Sequence, residues 1–121
     1  MKTHTLLILL AWIQGVYYFI TAVWPLVSIS TFMKVTGPKV DIWLVKTVAV
    51  LILSSSLAIL LSAWRQQVPL EVVVLAVSNA LGLAAIDVIY STTGRISKIY
   101  LLDAVPELLL AAAWMITWNL G

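Results

Sequence analysis

The chain has 121 residues, 63% of them hydrophobic and only 10% charged, with a formal net charge of +2 and a mean hydropathy of +1.09. A water-soluble domain carries about 25% charged residues, so this chain lacks the polar surface to face water on all sides. It reads as an integral membrane protein. There is no cysteine and a single histidine, His4. That excludes disulfides, thiolate metal sites, cysteine catalysis and a histidine-rich metal centre. No metal site and no cofactor are expected. The small positive charge is spread over loops, which leaves nucleic acid out as a partner.

The first apolar run predicts a span over residues 5–33. A Lys followed by apolar residues resembles a signal sequence, but the run continues through Tyr17, Tyr18 and Phe19 without a small-x-small cleavage pattern, so it is read as an uncleaved span. It exceeds the ~20 residues a span needs, which predicts tilt, protrusion or a kink at Pro25. Gln14, Tyr18, Thr21, Trp24 or Pro25, and Ser28 recur every three or four residues. That stripe should face the bundle, and Gly15 beside it allows close helix approach.

Residues 34–41, KVTGPKVD, form the first loop around the breaker pair Gly37-Pro38. Asp41 is a candidate N-cap for a second span over 42–64. Lys46, Val50, Ser54, Leu57 and Leu61 form one stripe there and are expected to point inward. The run Ser54-Ser55-Ser56 should bond to its own helix carbonyls or to a neighbouring helix. A turn at 65–69 leads to the third span, 70–90, with Pro69 and Glu71 suited to its first turn. Asn79, Leu83, Ile86, Asp87 and Tyr90 fall within an arc of roughly 100°. The loop at 91–94 and the cations Arg95 and Lys98 precede a fourth span, 97–118. The prediction is all-α: one up-down four-helix membrane bundle forming a single domain, with short loops making consecutive helices antiparallel neighbours. Lys2 and Arg65 at one face against Lys34, Lys39, Arg95 and Lys98 at the other favour the second face as cytoplasmic.

The fourth span carries Asp103 and Glu107, one turn apart on one face, with Pro106 between them. Ionisable groups inside a span are costly and mark functional sites by default. Lys46, Asp87 and Asp103 each lie about five residues from the same face, roughly 7–9 Å deep at the helical rise, and Glu107 lies one turn deeper. With Trp24, Asn79, Tyr90 and Tyr100 they make up the expected ligand-binding set. One lysine opposes three carboxyls. Pairing Lys46 with Asp87 or Asp103 leaves two acids that must take up a proton, bind a cation, or find donors such as Tyr90, Tyr100 or Trp24. The plainer reading is that Lys46 snorkels to the interface, Asp87 pairs with Arg95 or Lys98, and the cluster serves only as a registry device.

The segments WPLVSISTFMKVTGPKVDIWLVKTVAVL and LGLAAIDVIYSTTGRISKIYLLDAVPELLLAAAW resemble small four-span bacterial membrane proteins of the DoxX-like kind. That resemblance implies the bacterial cytoplasmic membrane and carries no catalytic motif. A second resemblance is to the EXPERA four-helix membrane proteins, which hold acids in an intramembrane pocket. It rests on Asp103 and Glu107 alone and implies a lipid-like ligand.

Two classes of function follow. The first is a binding or transport module whose partners are membrane lipid and a proton, a cation, or a small lipid-like or cationic molecule. A bundle this small encloses no pore alone, so transport would require a homo-oligomer. The second is an intramembrane enzyme using Glu107 or Asp103 as acid or base on an apolar substrate. A structural subunit without ligand is the third reading.

Overall fold

The computed structural model describes residues 2–120, and among them all regular structure is helical. Helix α1 spans Lys2–Val27, α2 Ile29–Thr36, α3 Ile42–Trp64, α4 Leu70–Thr92 and α5 Leu101–Leu120, the last preceded by a 3-10 turn at Lys98–Tyr100. Four of these helices are long and apolar enough to cross a membrane, and α2 is a short addition after the first. The chain is an all-α, multi-pass membrane bundle.

The first span ends earlier than its apolar run suggests. Pro25 withholds one backbone donor, and three residues later Ser28 leaves helical geometry at φ −143°, ψ 82°. The break is stabilised locally. Thr31 Oγ1 donates to Ser28 O at 3.1 Å and lies 2.8 Å from Ser28 Oγ, and Trp24 Nε1 donates to Thr31 Oγ1 at 3.1 Å. The remaining apolar residues, 29–36, form α2 instead of extending the span. Gly37, at φ +99°, then stops α2 in a conformation that side chains disfavour. Asp41 sits at the N-cap of α3 but its side chain makes no capping bond. Glu71 lies in the first turn of α4, as expected. Helix α5 runs through Pro106 without a break, because a proline so near a helix start costs only one carbonyl partner.

Two helix pairs make the bundle. Helix α1 packs mainly on α3 and α4 mainly on α5. Helix α1 meets α5 between the pairs, while α3 and α4 touch far less. Both close seams are built from small residues, as expected where lipid supplies no hydrophobic drive for helix association. Ala49, Ser56 and Ala63, spaced every seven residues, are buried on α3 together with Ile59 and Ser62. Gly15 of α1 comes so near α3 that an added Cβ would lie 2.6 Å from Leu60 Cδ2. Ala76, Ala80 and Ala84 of α4 and Ala104 and Ala111 of α5 are likewise buried, and these two helices pack on each other.

This seam corrects one expectation. Lys46, Val50, Ser54, Leu57 and Leu61 do form a stripe, but every member is exposed. The alanine and serine face allows the closer approach and takes the inner position, so the Lys46 stripe turns outward. The serine run bonds to its own helix, with Ser54 Oγ donating to Val50 O at 3.0 Å and Ser56 Oγ to Leu53 O at 2.7 Å.

A buried polar link ties the pairs together. Gln14 of α1 donates from Nε2 to Ala76 O of α4 at 3.0 Å, and its Oε1 accepts from Trp114 Nε1 of α5 at 2.7 Å. Both side chains are 0% exposed.

Candidate functional site

Above the Gln14 link the two pairs part and enclose a cavity of about 540 Å³. That lies within the ~300–1,000 Å³ typical of small-molecule sites. Most of its wall is apolar. Val45, Val48 and Ile52 come from α3, and Leu83 and Ile86 from α4. The polar lining residues include Asp87, Asp103, Glu107, Tyr17, Tyr18, Tyr100 and Lys39, with Thr21 and Thr36 beside them.

Asp87 and Glu107 are delivered by the seams. Ala84 and Asp87 share the buried face of α4, as Ala104 and Glu107 share that of α5. The close alanine contact therefore carries the acids inward. Tyr18 donates its hydroxyl to Glu107 Oε1 at 2.6 Å, and Tyr17 donates to Asp103 Oδ1. Asp87, Asp103 and Glu107 line the same cavity. Asp87 is 5% exposed, and its Oδ2 receives no hydrogen bond. Among the described residues no group of His, Cys, Asp and Glu has an arrangement fit for a metal ion.

Of the predicted site residues, Trp24, Asp87, Tyr100, Asp103 and Glu107 line this one cavity. Lys46, Tyr90 and Asn79 do not. Lys46 stands on the exposed side of α3, and the expected pairing with Asp87 or Asp103 is not made. Tyr90 is exposed one turn beyond Asp87, since the buried face of α4 continues through Ser91 instead. Asn79 is half-buried outside the cavity wall, with its Nδ2 unpartnered. The donors expected from Tyr90, Tyr100 or Trp24 are supplied by Tyr17 and Tyr18.

Tyr17 and Lys39 carry no signal of their own in the sequence. Tyr17 is one of two adjacent tyrosines, and the helical turn between them sends each to a different acid on α5. Lys39 belongs by sequence to a solvated loop. The break at Ser28 swings that loop over the cavity. There its Nζ donates to Gly37 O at 2.8 Å and Thr36 O at 3.1 Å, and lies 5.2 Å from the Tyr100 ring centre and 5.8 Å from that of Phe32. The cation in the cavity thus comes from the loop, not from α3.

No family model, curated protein or solved structure matches the chain.

Proposed function

We propose that this protein is a membrane-embedded binding module for a small amphiphile whose head group is cationic or rich in hydrogen-bond donors. One observation carries the reading: Asp87 Oδ2 is buried at the cavity wall without a donor. A buried acceptor left unmade costs about 1–3 kcal/mol, and a ligand head would remove that cost. Tyrosines already occupy Asp103 and Glu107, so Asp87 is the group free to recognise a ligand. Three carboxyls against one ammonium favour a cation, and the apolar wall favours a lipid-like body. Transport by the same site would require a homo-oligomer. The DoxX-like resemblance fits a place in the bacterial cytoplasmic membrane, with the Lys39 end cytoplasmic by the positive-inside bias.

The test is binding of dodecylamine to the protein in phosphatidylcholine nanodiscs, with dodecanol and dodecanoate as comparators. Saturable binding in the order amine, alcohol, carboxylate is expected, and Asp87→Asn should weaken the amine by about tenfold, a charge-assisted contact being worth ~1.4 kcal/mol or more. No saturable binding, or equal binding of the carboxylate, overturns the reading.

The Tyr17–Asp103 and Tyr18–Glu107 pairs favour one alternative, an intramembrane acid–base enzyme. A tyrosine bonded to a carboxyl is a proton relay as well as a support. Turnover of an apolar substrate lost in Glu107→Gln, with amine binding intact, would establish that alternative.

A further inference from the structure

The cavity has two possible routes for a ligand, one through the loop end and one through its side. At the loop end, α2, the Gly37–Lys39 backbone and the 3-10 turn lie over it. Lys39 is held there by carbonyls on its own loop and by two aromatic faces. An added Cβ on Gly37 would sit 3.5 Å from Ser97 Cβ, so the loop rests against the start of the 3-10 turn. The side is different. Helices α3 and α4 are joined by the turn at 65–69 but pack on other partners, and they make little contact with each other. Residues of both line the cavity while remaining open to the outside: Val48 of α3 is 49% exposed and Ile86 of α4 is 50% exposed. Leu44 is likewise both a wall residue and exposed. A residue that lines a cavity and is half exposed stands at its edge. Val48 and Ile86 are apolar and lie about 9 Å inside the loop-side ends of α3 and α4 at the helical rise. At that depth the surroundings are hydrocarbon, not water.

We propose that the α3–α4 slot is a lateral portal. Through it a membrane-dissolved, single-chain amphiphilic amine enters head first to Asp87 and leaves its tail between Val48 and Ile86, in contact with lipid. The inference rests on the binding reading above and adds the source and chain type of the ligand. Charge complementarity selects the head: Asp87 is the buried acceptor at the slot's inner end, one residue from Ile86 on α4. The apolar rim selects the tail. A ligand taken from lipid through the slot crosses only aliphatic side chains.

The chain has no cysteine, so a Val48→Cys, Ile86→Cys pair can be bridged selectively with a reducible bismaleimide. The readout is the rate of exchange of radiolabelled dodecylamine with protein in phosphatidylcholine nanodiscs. Bridging should slow exchange by about tenfold, and reduction should restore it. Val48→Phe, which narrows the slot without a linker, should slow exchange in the same direction and decides the matter if the cysteine pair does not fold. Unchanged exchange after bridging, with saturable binding intact, overturns the portal and leaves the binding reading standing. Absence of saturable binding in the unmodified protein overturns both.

Discussion

Replacing Gln14 by Leu isolates the buried link between the helix pairs. The change keeps the side chain's approximate volume and removes two hydrogen bonds, one to Ala76 O and one from Trp114 Nε1. Ala76 O keeps its partner within α4, so its loss is small. Trp114 Nε1 has no such reserve, because its side chain is 0% exposed. An orphaned buried donor costs about 1–3 kcal/mol. Interhelical hydrogen bonds in bilayers measure lower, ~0.6 kcal/mol on average and up to ~1.7, since separated helices find other partners. Gln14→Leu should therefore destabilise the bundle by about 1–2 kcal/mol. Trp114→Phe leaves Gln14 Oε1 without its donor and opens a void, for about 2–3 kcal/mol. Removing both polar partners together leaves neither orphaned, so the double variant should fall short of the sum by about 1 kcal/mol. Reversible unfolding in mixed dodecyl maltoside and sodium dodecyl sulfate micelles, followed by far-ultraviolet circular dichroism, measures all four states. A neutral Gln14→Leu together with strict additivity would refute the argument and assign helix association to the small-residue seams alone.

Gly15→Ala should destabilise by about 1–3 kcal/mol through its clash with Leu60, while Gly82→Ala, with nothing within 4 Å of the added Cβ, should be neutral or stabilising by up to ~1 kcal/mol. The same unfolding titration compares them, and equal effects would sink the claim of close α1–α3 approach. Glu107→Gln retains a carbonyl to accept from Tyr18 and should stay within about 1 kcal/mol of wild type, against about 2–4 kcal/mol for Glu107→Ala. Thermal unfolding in detergent that ranks the two the other way would mean Glu107 is held as a paired charge. Gln66 ends α3 at φ +56°, so Gln66→Gly should stabilise by up to ~1 kcal/mol, and a loss of stability on calorimetry would contradict that account.

Membrane residence and the number of spans follow from the sequence by itself. Four runs of about 20 apolar residues have no other stable environment, and Gly37-Pro38 ends a helix and Pro69 suits the start of one through their own backbone chemistry. The inward placement of Gln14, Tyr18, Asp87 and Glu107 was also legible, because burying a polar group against protein is cheaper than exposing it to lipid. Pairing was not legible. Lys46 shares the depth of Asp87 and Asp103, but depth is set by helix length, whereas facing is set by which side packs most closely. On α3 that contest is between residues of similar hydropathy, and small size decided it: Ala49, Ser56 and Ala63 took the seam and turned Lys46 away. The break at Ser28 then brought Lys39 over the cavity, and the docking of α1 on α5 gave Asp103 and Glu107 their tyrosines. Those contacts join residues more than eighty positions apart, and no local pattern encodes them. They exist only once the small-residue seams have fixed the rotation of every helix about its own axis.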